Sequence, residues 1–238
     1  MNELDYTLLT PAPTATRPLL GLTILVVEDS RFACDAMRLL CLRSGARIRR
    51  ADSLRSARRH LQVYRPSVVI IDLGLPDGSG AGLIHELSQV EPRISAILAI
   101  SGDDMNEAIA MAAGADGFIA KPLSSLSVFQ SAVLSAVPEE MRPVGLRAIT
   151  DEQVEPDPMA YRDDMAHAAE MLTAEADMKT LDYVAQFIQG VAKSAQDDQL
   201  SRAARRLSRA RAEGRTIHSH QARLAGLVRQ RVTAQMVI

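Results

Sequence analysis

The sequence predicts an α/β fold over its first half, a parallel sheet of the doubly wound class built as (βα)5, followed by an all-α region. Three observations carry this. Short apolar runs alternate with stretches of helical periodicity as far as residue 137. The runs are apolar at consecutive positions, as strands buried on both faces are. Beyond that point no strand signal recurs. Alternating strand and helix implies right-handed crossovers, with the functional site at the carboxyl ends of the strands.

The elements follow in order. Leu22–Val27 is an apolar strand that ends in Glu28-Asp29. Arg31–Arg43 carries Phe32, Ala33, Ala36, Met37, Leu40 and Cys41 at helical spacing, and Gly45 stops it. Ala46–Ala51 reads as a strand and Ser53–Tyr64 as a helix ended by Pro66. Ser67–Leu73 contains Val68-Val69-Ile70-Ile71 and runs into Asp72. Pro76, Gly78 and Gly80 mark a loop before a helix over Ala81–Val90. Ser95–Ile100 is the fourth strand, Asp103–Ala113 a helix, Phe118–Ala120 the fifth strand, and Ser124–Val137 the last helix of this half.

Composition sets limits. The chain has 238 residues, 47% apolar and 24% charged, enough for two small domains with real cores. Tryptophan is absent and aromatics are 3%, so the cores rest on Ala, Leu, Ile and Val. No apolar run approaches the ~20 residues that span a bilayer. The start of the chain has Glu3 and Asp5 and lacks the apolar segment of a secretory signal. A cytoplasmic protein is expected. Cys34 and Cys41, seven apart, fall on one helix face as buried thiols rather than at a metal or redox spacing.

Charge divides the chain. Residues 1–150 are nearly balanced, residues 151–199 hold 12 acidic against 3 basic side chains, and residues 200–238 hold nine arginines against Glu213 alone. Pro138, Pro143, Pro156 and Pro158 punctuate the change. The expected organisation is a flexible leader over 1–20, an α/β domain over 21–138, a linker over 139–157 and a helical domain over 158–238. In that domain Asp157-Pro158 starts a helix with a stripe of Tyr161, Met165, Ala168 and Leu172. Leu181, Val184, Ala185, Ile188, Val191, Ala192 and Ala195 form a second stripe. Leu200, Ala203, Ala204, Leu207 and Ala210 form a third, between Asp197 and Gly214. Ile217, Leu224, Leu227 and Val228 form a weaker fourth.

Four polar features stand at strand ends: Glu28-Asp29, Asp72, Ser101 and Lys121. A doubly wound sheet brings such ends to one pocket. Three crowded carboxylates repel and are relieved by a hard divalent cation such as Mg2+. A lysine adds a point charge suited to phosphate, and a hydroxyl a further donor. This set suits phosphoryl transfer onto an aspartate.

Residues 20–138 resemble the response-regulator receiver domains of two-component signalling, whose fold is flavodoxin-like. The resemblance rests on Ile24-Leu25-Val26-Val27-Glu28-Asp29-Ser30, on Asp72-Leu73-Gly74-Leu75-Pro76-Asp77-Gly78-Ser79-Gly80, and on Gly114-Ala115-Asp116-Gly117-Phe118-Ile119-Ala120-Lys121-Pro122. It implies that Asp72 accepts the phosphoryl group from a histidine kinase or a histidine-phosphotransfer protein. It implies Mg2+ held by Asp29, by Asp72, by Glu28 through water and by the Gly74 carbonyl. Ser101 becomes the switch hydroxyl, Lys121 the phosphate-binding lysine, Phe118 the aromatic that changes rotamer, and Lys121-Pro122 a cis peptide. A phosphoacceptor of this kind is not an enzyme beyond its own phosphorylation and dephosphorylation. The surface that changes is expected over residues 103–137, either dimerising or releasing the C-terminal helices.

The second half admits three outputs. A helical module for protein binding or self-association fits the complementary charge of residues 159–195 and 200–231. A transcription regulator that binds DNA through the arginine-rich tail is the alternative, although no helix-turn-helix or winged pattern occurs. An active phosphotransfer bundle would need a helical His followed closely by Lys and Gly, and His167, His218 and His220 lack that context. The arginines at 47, 49, 50, 55, 58 and 59 read as a solvated face, with docking of an acidic partner as the alternative.

Overall fold

A computed structural model describes residues 11–103, 105–145, 149–173 and 175–234. Strands β1 (Thr23–Val27), β2 (Arg47–Ala51), β3 (Val68–Asp72), β6 (Ala96–Ser101) and β7 (Gly117–Ala120) form one parallel sheet in the order β2-β1-β3-β6-β7. The helices between them are α1 (Arg31–Ser44), α2 (Leu54–Val63), α3 (Gly80–Ser88) and α4 (Asn106–Ala112), with α5 (Leu126–Ala136) after β7. The order reverses between β1 and β3, which places the crevice at their carboxyl ends. A two-residue ribbon, β4 (Gly74–Leu75) with β5 (Gly78–Ser79), lies in the loop after β3 and was not foreseen.

β3 and β6 are buried along their whole length, as their apolar runs predict. One core layer packs Ile24, Val26, Ile70 and Leu98 under Met37, Leu40 and Phe129. The opposite layer packs Leu25, Val69, Ile71 and Ile97 under Leu83, Ile84 and Ala57. Cys34 and Cys41 are buried in α1, and burial pushes each thiol up to about 12.

Two boundaries differ from the sequence reading. Leu19, assigned to the flexible leader, is fully buried in the first core layer, and its amide donates to the Ser44 carbonyl. Residues 1–10 of that leader lie outside the described residues. The end of the linker is tied down: Leu126 N donates to Glu152 O, Val154 N donates to Ser124 O, and Val154 is buried in the core. Its proline and acidic content suggested a free connection, but local composition does not register this pairing.

The C-terminal region is a four-helix bundle of α6 (Pro158–Met171), α7 (Met178–Ser194), α8 (Asp198–Ala212) and α9 (His218–Thr233). The stripes read from the sequence form its core, with Met165, Leu181, Val184, Ile188, Leu200, Leu207, Leu224 and Val228 buried together. Asp157, Asp177 and Asp197 cap α6, α7 and α8 through their side chains. Asp197 also accepts from Tyr161 Oη at 3.0 Å and from Arg231 Nε at 2.7 Å, which ties α6 and α9 to the start of α8.

Candidate functional site

The sheet brings the strand-end residues together. Asp72 ends β3, Glu28 and Asp29 follow β1, Ser101 ends β6, and Lys121 follows β7. Glu28, Asp72, Ser101 and Lys121 are all buried. Carboxylate oxygens of Glu28, Asp29 and Asp72 lie within 4.8 Å of one another. Lys121 Nζ stands 2.7 Å from Glu28 Oε2 and 3.4 Å from Asp72 Oδ2.

Local sequence fixes each of these positions. Ser30 caps α1 by accepting from Ala33 N, and its own amide donates to Glu28 Oε1 at 3.2 Å. The loop after β3 is pinned by Asp77, which accepts from Leu54 N at 2.8 Å and Arg55 N at 2.9 Å at the start of α2. Gly80 is there for space: a Cβ on it would stand 2.0 Å from the Asp72 carbonyl oxygen. Lys121–Pro122 is a cis peptide, as the resemblance implies.

The electrostatics follow from burial and crowding. Burial, reinforced by Asp72 and Asp29, pushes Glu28 up to about 8 against the pull of Lys121. Burial and the Asp72 charge push Asp29 up to about 7, against a hydrogen bond from Tyr183. Burial pulls Lys121 down, but the charges of Asp72 and Glu28 outweigh it and hold the ammonium above its ordinary value. Three carboxylates thus face one lysine, and burial and mutual repulsion oppose their full ionisation. Oxygen ligands crowded in this way fit a hard divalent cation.

Ser101 Oγ accepts from Asp103 N at 3.1 Å and Asn106 Nδ2 at 3.0 Å. As a hydroxyl it also has one proton to donate. Phe118 lies on β7 beside Ala99, half-buried against the second core layer.

The bundle adds residues that the sequence reading did not place here. Tyr183 Oη donates to Asp29 Oδ2 at 2.5 Å. Lys193 Nζ donates to the Gly102 carbonyl at 2.6 Å. Asp164 of α6 is buried at the start of α1, where it accepts from Ser30 Oγ at 2.7 Å, Arg31 N at 2.9 Å and Phe32 N at 3.1 Å. A cavity of about 330 Å³ separates Asp72, Ser101 and Lys121 from Gln186, Gln189 and Gly190 of α7. Only one signal pointed this way: Asp164 and Tyr183 are polar residues beside apolar stripes, which marks a face without naming its partner.

The comparisons with known proteins cover the same half. The family model described as the response regulator receiver domain matches residues 24–132. The KDP operon transcriptional regulatory protein KdpE of Escherichia coli (strain K12) is 30% identical over 99 residues, 42% of this chain and 44% of that protein. The "Probable transcriptional regulatory protein TcrX" of Mycobacterium tuberculosis is 32% identical over 103 residues, 43% of this chain and 44% of that protein. The chain thus spans less than half the length of these curated relatives. Among solved structures, a receiver domain of a signal transduction histidine kinase from Syntrophus aciditrophicus is 26% identical, with a TM-score of 0.43, over 47% of this chain and 86% of that one. With the matched motifs converging on one acidic pocket, residues 24–132 are a response regulator receiver domain of two-component signalling, followed by a C-terminal helical region.

Proposed function

We propose that the protein is a response regulator in which Asp72 takes a phosphoryl group from a histidine kinase or a histidine-phosphotransfer protein and thereby switches the helical bundle. The observation that carries this is the largely buried cluster of Glu28, Asp29, Asp72 and Lys121 under a cavity large enough for a phosphoryl group.

Each residue has a role that its chemistry suits. Asp72 Oδ forms the new O–P bond as the N–P bond of the donor breaks and the electron pair leaves with the donor nitrogen. Asp29, Asp72, the Gly74 carbonyl and, through water, Glu28 are the candidate ligands for Mg2+. That ion, when bound, neutralises the carboxylates and the phosphoryl oxygens. Lys121, already 3.4 Å from Asp72 Oδ2, pairs with a phosphoryl oxygen. Ser101 donates its remaining proton to another. Those new contacts exist only in the phosphorylated state, so they bias the receiver toward its active conformation, with Phe118 following Ser101.

The bundle reads best as a protein-interaction or self-association module. Five of the nine arginines on which a DNA-binding reading rests are drawn on within the bundle: Arg231 pairs with Asp197, Arg211 with Asp182, Arg209 and Arg215 with Glu213, and Arg202 with Asp198. Among the described residues no helix is long and apolar enough to cross a membrane.

The test is labelling with a small phosphodonor and Mg2+. The native chain should form one acid-stable, base-labile acyl phosphate, and Asp72→Ala should form none. Native-rate labelling of Asp72→Ala would sink the assignment.

A further inference from the structure

The bundle does not stand apart from the receiver. It lies across the mouth of the pocket, and α7 faces the phosphoacceptor from the direction in which β3 points. We infer that α7 is a competitor in cis for the surface a phosphodonor protein must reach: the docked bundle excludes such a donor, and a phosphoryl group on Asp72 drives the bundle off. The inference rests on Asp72 being the phosphoacceptor.

The first argument is space. The cavity of about 330 Å³ has room for a phosphoryl group and several waters at ~30 Å³ each. A donor side chain carried on a helix ~10 Å across cannot enter while α7 stands there.

The second argument is the fit of α7. Gly190 faces Gly102, and a Cβ on Gly102 would stand 3.4 Å from Gly190 Cα. A Cβ on Gly190 would stand 3.8 Å from Lys121 Nζ, in ordinary contact. Gln186 packs on Gly74 so closely that a Cβ there would meet its amide at 2.4 Å. Tyr183, Lys193 and Asp164 hold this position through Asp29, Gly102 and the start of α1. Backbone, side-chain and capping contacts therefore all agree on one docked pose.

The third argument is chemistry. The α7 residues over the pocket include Gln186, Gln189 and Gly190 but no histidine, so none can pass on a phosphoryl group from an imidazole. His167 stacks edge-on against Phe187 at 6.0 Å and does not line the cavity. The bundle occupies the donor's place without being a donor.

The fourth argument is coupling. Among the described residues that line the cavity, Lys121 is the only base, and it already faces Glu28 and Asp72. A phosphoryl group brings further negative charge into this space. Ser101, drawn toward that group, carries Gly102 with it, and Gly102 is the residue on which Gly190 and Lys193 rest. Phosphorylation thus strains the docking contacts directly. By reciprocity, loosening the docking must favour phosphorylation.

The experiment uses the full chain and three readouts. Hydrogen exchange at the Arg31 and Phe32 amides, which Asp164 caps, reports docking. Labelling by phosphoramidate with Mg2+ reports that Asp72 reacts, and the affinity for beryllofluoride with Mg2+ reports its coupling to docking. Beryllofluoride with Mg2+ should release protection of both amides in the native chain. Lys193→Glu, which sets a carboxylate against the Gly102 carbonyl, should release it without the mimic and bind beryllofluoride about five-fold more tightly or more. Lys193→Arg should behave as native, and retained exchange protection of α8 and α9 shows that the variants fold. Stoichiometric beryllofluoride with both amides still protected overturns the inference, as does native beryllofluoride affinity in an opened Lys193→Glu. Absence of labelling in every variant overturns the phosphoacceptor reading instead.

Discussion

The Tyr183 hydroxyl donates a 2.5 Å hydrogen bond to Asp29 Oδ2 across 154 residues of sequence, joining the bundle to the acidic cluster of the receiver. The bond stabilises the ionised carboxylate, and Asp29 needs it: burial and Asp72 already hold that group up at about 7. The same burial and the Asp29 charge hold the Tyr183 phenol above its ordinary value, so it stays a donor throughout the neutral range. In Tyr183→Phe, Asp29 should titrate higher still. Carboxyl-detected NMR titration of the metal-free protein checks this, and an unmoved Asp29 would show that the bond contributes nothing to its charge.

The metal-free protein should lose stability as pH rises. Glu28 ionises near 4.5 when exposed but at about 8 in the folded chain, and Asp29 moves in the same direction. The folded state therefore holds protons that the unfolded state has released. Stability falls as pH climbs through the ordinary carboxylate range, and the loss is complete only above the folded values. Mg2+ at the proposed site would bind the ionised forms, so the rise in melting temperature on adding Mg2+ should be small at pH 5.5 and grow toward pH 8.5. An increment independent of pH would contradict the site.

The receiver was legible because its elements are strongly patterned. Val68-Val69-Ile70-Ile71-Asp72 can hardly be anything but a buried strand with a charged end, and the sheet order then brings Glu28, Asp72, Ser101 and Lys121 together. The four stripes after residue 157 gave the bundle for the same reason. What the sequence did not disclose is where the bundle sits. Residues 103–137 are expected from the sequence to change on phosphorylation and either dimerise or release the helices, and the contacts that hold the bundle run through Ser30, Arg31, Asp29 and Gly102. Single polar residues such as Asp164 have no period, and a hydrogen bond to another domain leaves no trace in local pattern. Asn106, which donates to Ser101, was missed likewise because one amide in a helix resembles any solvated residue.

Asp164 should be worth more than an exposed carboxylate. It is 3% exposed and accepts from a hydroxyl and two backbone amides at the head of α1. Asp164→Ala removes a helix-capping anion and leaves those donors without their acceptor, at a cost of about 2 kcal/mol. Urea unfolding measures the loss. Asp163→Ala, whose partner Arg31 is exposed and whose ion pair is solvated, should cost little in the same experiment.

Gly80 sets the place of Asp72, the proposed phosphoacceptor. Its amide donates to the Leu73 carbonyl at 3.2 Å, and its Cα faces the Asp72 backbone so closely that a methyl group would lie 2.0 Å from that carbonyl oxygen and 2.9 Å from Ile71 Cγ2. Neither neighbour can yield cheaply, since one is backbone in the central strand and the other is buried core. Gly80→Ala must push α3 away from β3 or turn the Asp72 peptide, and overpacking of this kind costs about 1–3 kcal/mol. The carboxylate then leaves its place beside Lys121 and Glu28. The variant should stay folded by circular dichroism while labelling by phosphoramidate falls by about tenfold or more, since small misplacements of a reacting group carry large rate penalties. Gly82, where a Cβ would meet nothing within 4 Å, provides the contrast: Gly82→Ala should label at the native rate and, as a helix-interior substitution, be slightly more stable.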